Sequence, residues 1–221
     1  MSDENTQADA PPVETAAPQN LQEAMAVMPP ATLRKLRLAR LAGVHALVWL
    51  VAVSLFAATE SWALLSDLGF AWFLAVVSGA LAGLVTTNLI HEWFHMLGAR
   101  VSGGEYDIPD KLGLFVYDWK FQRNSTGQFF TMSIAGSVGG LVSLILVWNV
   151  LPPETLGRAA VFGGTLAGFV FGAVIEWPVL RRVRFGGEPL AELSKIDGQV
   201  LGTAFVAASL AGVAILYSIA P

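Results

Sequence analysis

The chain has 221 residues, 54% of them hydrophobic and 14% charged, with a mean hydropathy of +0.59 and a formal net charge of −4. Those values exclude an ordinary soluble domain. The basic residues sit where membrane topology alone accounts for them, so there is no nucleic-acid footprint, and the absence of cysteine excludes disulfides and thiolate metal sites.

Residues 1–33 set Asp3, Glu4, Asp9, Glu14 and Glu23 among Ala, Pro and Gln. A segment that buries so little apolar surface cannot offset its ordering entropy, so a disordered tail is expected, with the membrane domain at 34–221. It makes a poor signal peptide, because the basic segment and the apolar run start late and the tail is acidic. Uncharged runs then cover 41–59, 68–91, 124–153, 159–175 and 198–221, and the fourth completes a span if continued to Leu180. A helix of about 20 residues crosses a 30 Å hydrocarbon core. The runs predict an all-α polytopic membrane protein with about five transmembrane helices, the second able to continue to Ala99. His45, mid-way along the first, reads as a packing or hydrogen-bonding histidine.

The second helix carries His91-Glu92-Trp93-Phe94-His95. Histidines four apart lie on one helical face, so both imidazoles can reach one metal ion, while Glu92, offset around the helix, can hold a water beside it. Ionisable groups near hydrocarbon cost about 2–3 kcal/mol or more each unless a site satisfies them. Trp93 and Phe94 point away from the ligand face and are expected to pack against neighbouring helices.

From Lys111 to Phe121, Leu112, Leu114 and Val116 alternate with Gly113, Phe115, Tyr117 and Trp119, and Gly103-Gly104 upstream offers a turn. Alternation of aromatic and β-branched residues predicts a strand or small β-hairpin after the second helix. Its exposed edge could add an extended peptide as another strand, or the element could rest on the membrane surface.

Of the 13 Lys+Arg residues only Arg158 falls on the other side of the predicted topology, so the positive-inside rule puts the N-terminus and the hairpin in the cytoplasm and the C-terminus outside. A multi-pass protein of the cytoplasmic (inner) membrane is expected.

A catalytic zinc usually takes three protein ligands. Two carboxylates lie at the depth of His91 and His95: Asp197, opening the fifth helix, and Glu176, at the end of the fourth. Asp197 could equally be a helix N-cap, and Glu176 could pair with Arg181 or Arg182.

The chain resembles the site-2 protease family of intramembrane zinc metalloproteases from about the second helix to the C-terminus. His91, Glu92 and His95 match that family's His-Glu-x-x-His, and Met96-Leu97-Gly98-Ala99-Arg100 is similar to the run that often follows. Ile134 to Gly140 resembles the opening of the next family helix without its Pro and Asn, and Glu176-Trp177-Pro178-Val179 looks like a weak Asn-Leu-x-Pro stretch. Ile196-Asp197-Gly198 matches the Leu-Asp-Gly motif of the third ligand. Phe94 stands where Gly is common, which marks a divergent branch.

The resemblance implies one Zn²⁺ per chain held by His91, His95 and Asp197, with Glu92 activating zinc-bound water to cut a transmembrane protein substrate within the lipid bilayer. Asn88 and Gln199 are candidate oxyanion donors, and Thr87, Ser133 or Ser137 candidate acceptors for the imidazole N–H groups. The alternative is a non-proteolytic zinc-binding membrane regulator or scaffold, against which Glu92 argues, since a binding protein needs no general base. A transporter is a further alternative, but its polar residues would form a chain across the bilayer.

Overall fold

The computed structural model describes residues 28–113 and 115–221. The chain divides into two compact units, Met1–Leu36 and Arg37–Pro221. Of the first, residues 28–36 are described, and from Pro30 they belong to helix α1. The expectation of a disordered tail falls mostly on residues outside the described ones, although α1 begins at Pro30, inside the segment assigned to that tail. Proline suits this first helical position, where its missing N–H would have no partner anyway.

The elements run α1 (Pro30–Ser66), α2 (Gly69–Val101), β1 (Tyr106–Asp107), β2 (Asp118–Trp119), a 3-10 turn at Phe121–Arg123, α3 (Thr126–Val150), α4 (Leu156–Arg184), α5 (Pro189–Leu193) and α6 (Gly198–Ile219). Five of them, α1, α2, α3, α4 and α6, are long and apolar enough to cross a membrane. The shortest, α6, has 22 residues, or about 33 Å at 1.5 Å per residue. The helices outrun the uncharged runs. α1 continues through Glu60, α2 through the histidine motif to Val101, and α4 through Glu176 to Arg184.

Capping fixes where these helices start. Ser125 and Gln128 form a reciprocal capping box at α3, Thr155 accepts from the Arg158 N–H at α4, and Asp197 accepts from two N–H groups of α6. Between α1 and α2 the chain turns at Asp67, whose φ of 53° is tolerated by a short polar side chain.

α2 packs between α3 and α4 through small residues. A Cβ on Gly83 would meet the Val161 carbonyl of α4, and one on Gly164 would meet the Ala80 carbonyl of α2, so the two backbones touch. On the far side of α4 a Cβ on Gly212 of α6 would lie 2.9 Å from the Gly163 carbonyl. Close backbone approach of this kind replaces the hydrophobic drive that hydrocarbon surroundings remove.

At the end of the bundle where α2 and α4 finish, Ala99, Phe129, Met132, Val179, Leu180 and Val183 form a buried cluster, with Tyr117, Trp119 and Phe121 packed against it. The hairpin is present but shorter than predicted. Only Asp118–Trp119 of the expected strand pairs, antiparallel, with Tyr106–Asp107. The residues between anchor to helices instead. Val116 is fully buried, the Gly113 carbonyl accepts from His45 Nε2 at 3.0 Å, and Asp110 is held by Arg37 and Arg40 of α1. Leu112 and Phe115 stay exposed while Val116 is buried, so the described residues of 111–121 form no continuous ladder. Leu114 lies outside the described residues.

The connector α5 is locked by Glu192, which accepts from Lys195 Nζ and Arg182 Nε, both at 2.6 Å. The Lys195 ammonium, and after it Arg182, hold this carboxyl below the usual carboxylate range.

Candidate metal centre

His91 and His95 are one turn apart on α2, and their Nε2 atoms converge to 2.9 Å. Glu176 reaches them from α4, with Oε1 at 2.8 Å from His91 Nε2 and 2.9 Å from His95 Nε2. The three side chains are 12%, 10% and 19% exposed, so water screens them little.

Glycines on the facing helices make room for the rings. A Cβ on Gly136 of α3 would collide with the His95 imidazole, and one on Gly172 of α4 would sit 3.2 Å from the ring of His91. Gly136→Ala is therefore expected to push His95 out of line while the helices still assemble, and to weaken any zinc binding at the centre at least tenfold. Zinc titration of the purified variant, beside its elution profile in detergent, checks this. Unchanged affinity would show that the ring tolerates the methyl group.

The atoms at the centre fit a cation. His95 Nδ1 lies 2.9 Å from the Met132 carbonyl, which can only accept, so Nδ1 carries the proton and a neutral ring presents a lone pair at Nε2. Glu176 Oε1 presents lone pairs as well. With both imidazoles neutral, only His91 Nε2 can bring a proton to the triangle, and one proton cannot satisfy three short edges. A cation placed among the three atoms would satisfy all three edges. Two imidazole nitrogens and a carboxylate oxygen are a donor set that would suit zinc. Glu176 Oε2 is also buried with no hydrogen-bond partner, an orphan acceptor that a cation or its water would occupy.

Glu92 lies on the same helix at the edge of this triangle. One carboxylate oxygen and a ring nitrogen from each of His91 and His95 lie within 4.8 Å of one another. It is half-buried and belongs to the wall of a cavity of about 310 Å³ shared with His95 and Glu176. The rest of that wall is largely apolar, with Phe115, Tyr117 and Trp119 contributed by the hairpin region.

Asp197, expected as the third ligand, is not among these groups. It is exposed, and its Oδ1 accepts from the N–H groups of Gln199 and Val200, at 3.0 and 2.9 Å, as the N-cap of α6. The carboxylate beside the histidines is Glu176. The pairing expected for Glu176 with Arg181 or Arg182 does not form: its carboxylate is turned to the two histidines, and Arg182 is engaged by Glu192.

Of the candidate hydroxyls, Ser133 lines the same cavity, while the other two are engaged elsewhere. Thr87 bonds Ser143, Ser137 accepts from Trp177 Nε1 at 3.2 Å, and the acceptor for His95 is a backbone carbonyl. Asn88 and Gln199 are absent from the wall of the cavity, and Gln199 is exposed between α4 and α6. His45 accepts from Trp93 Nε1 at 3.2 Å through Nδ1, so its Nε2–H donates to Gly113 and it is a tether. Phe94 packs over Gly139 of α3, where a Cβ would lie 2.7 Å from it.

Tyr117 is the site residue that the sequence did not single out. Its hydroxyl makes no hydrogen bond among the described residues, and its ring shares the cavity with Glu92 and Glu176. Burial, and then the charges of those two carboxylates, push the phenol well above its ordinary pKa. It stays a proton-bearing donor throughout the physiological range. The available signal was the aromatic content of 115–121, which spacing alone could not aim at the histidines. Compared with protein-family models, with curated proteins and with solved structures, the chain has no match.

Proposed function

We propose that this chain is an intramembrane zinc metalloprotease, holding one Zn²⁺ through His91, His95 and Glu176 and hydrolysing a peptide bond in or near a transmembrane segment of a membrane protein. The observation that carries this reading is the convergence of two imidazole nitrogens and a carboxylate oxygen at 2.8–2.9 Å, with a second carboxylate, Glu92, beside them. The likeness of His91-Glu92-Trp93-Phe94-His95 to the site-2 protease motif supports it. Third-ligand duty passes from Asp197 to Glu176 in this proposal.

Bound zinc supplies Lewis acidity, making water acidic near neutral pH and polarising a carbonyl. Glu92 takes the proton of the attacking water and delivers it to the departing amide nitrogen. The imidazole of His95 is held against rotation by its bond to the Met132 carbonyl, which fixes the geometry of the centre. The cavity wall beyond the charged groups suits an extended segment with apolar side chains and keeps bulk water away from the scissile bond. Tyr117 donates to the oxyanion that develops on the carbonyl, a role that calls for a neutral phenol. The basic ends of α2 and α4, and with them the N-terminus, face the cytoplasm in this proposal.

Tyr117→Phe is expected to lower turnover about 100-fold with zinc content unchanged. Full activity in the variant would remove Tyr117 from the chemistry. The proposed activity itself is tested by reconstituting the protein with a panel of single-span substrates in ¹⁸O-labelled water. Hydrolysis puts one ¹⁸O into the new terminal carboxylate, detected by mass spectrometry. A purified protein that binds zinc yet cuts none of the panel would favour the scaffold reading.

A further inference from the structure

A second recess lies on the outer surface of α3 and α4, separate from the metal centre and unused by the proposed chemistry. Its volume is about 740 Å³, within the range of ligand sites. Phe130 and Ile134, one turn apart on α3, form one wall. Trp177, Arg181 and Arg184 form the other, at positions i, i+4 and i+7 of α4 and so on one face of that helix. The groove is thus apolar along its length and doubly cationic at the end where α4 leaves the span.

The arginines differ in a way that topology does not explain. Arg182, on another face, is bound by Glu192 at 2.6 Å. Neither Arg181 nor Arg184 pairs with a carboxylate among the described residues, and both are exposed. Two guanidinium groups one turn apart, at the mouth of an apolar groove and at the charged end of a helix long enough to span a membrane, match a phosphodiester attached to acyl chains.

We infer that the α3–α4 groove is a binding site for one anionic phospholipid, its acyl chain lying along Phe130, Ile134 and Trp177 and its phosphate held by Arg181 and Arg184. An anionic headgroup is favoured over a zwitterionic one because a choline or ethanolamine cation would face the same two positive charges. This inference does not rest on the protease reading.

Native mass spectrometry of the full chain in detergent, titrated separately with phosphatidylglycerol and phosphatidylcholine, tests it. Wild type is expected to take up one phosphatidylglycerol with at least tenfold preference. Arg181→Gln with Arg184→Gln should abolish the preference, while Arg100→Gln with Lys111→Gln, the same charge removed elsewhere, should preserve it. Ile134→Trp, which fills the groove and keeps both arginines, should weaken binding. Glycerol phosphate, bearing the charge without chains, should not compete. Equal binding of the two lipids, equal loss in the control pair, no effect of filling the groove, or displacement by glycerol phosphate would each overturn the assignment.

Discussion

At the proposed zinc site, Glu176→Ala is expected to take up no zinc, whereas Asp197→Ala binds it. Glu176 touches both histidine Nε2 atoms at 2.8 and 2.9 Å, and no other carboxylate does so among the described residues. Its removal leaves two imidazoles on one helix, a flexible pair that competes poorly with solvent. Affinity should fall by more than the roughly 100-fold seen when only a residue supporting a metal ligand is removed. Asp197 caps α6 through two backbone N–H groups, so Asp197→Ala should cost about 1 kcal/mol of stability and no metal. Metal analysis after dialysis against a weak chelator, beside thermal unfolding of each variant, separates the two effects. Zinc retained in Glu176→Ala and lost from Asp197→Ala would restore the Asp-Gly motif as the ligand and reduce Glu176 to a hydrogen-bonding partner.

Glu92→Gln should do the opposite of Glu176→Ala, keeping zinc and losing hydrolysis. The side chain keeps its shape but no longer accepts a proton, so a loss of about 10²–10⁴ in turnover is expected. The two carboxylates are thus assigned different duties by position. Glu176 Oε1 sits between the imidazole nitrogens, while Glu92 lies beside them on the cavity wall. Wild-type turnover in Glu92→Gln, at equal zinc content, would show that the carboxylate takes no part in activating water.

The features legible in the sequence were those that local rules determine. Five spans follow from apolar length, and His91 and His95 share a face because four residues make about one turn. His45 could be read as a hydrogen-bonding histidine, and Trp93 proved to be its donor. The third carboxylate depends on tertiary packing. Glu176 meets the histidines because α4 docks on α2 through Gly83, Gly164 and Gly172, contacts that no spacing rule records. Its sequence neighbours Arg181 and Arg182 offered a local partner instead, and only the fold shows Arg182 committed to Glu192. Asp197 satisfied two readings at once, a family motif and an N-cap, and the geometry matches the local one. The small hairpin after the second helix is present, with paired strands shorter than the alternation predicts. Val116 is fully buried outside the paired residues, while Leu112 and Phe115 stay exposed, so burial does not follow the alternation.

Zinc-edge X-ray absorption on the purified wild-type chain tests, without a substrate, the proposal that His91, His95 and Glu176 hold a metal ion. The expected result is about one zinc per chain, with two imidazole nitrogens and carboxylate oxygen at about 2.0–2.2 Å, and loss of that signal in His91→Ala. A wild-type protein purified without bound metal and unable to take up zinc, or one whose zinc persists unchanged in His91→Ala, would contradict it.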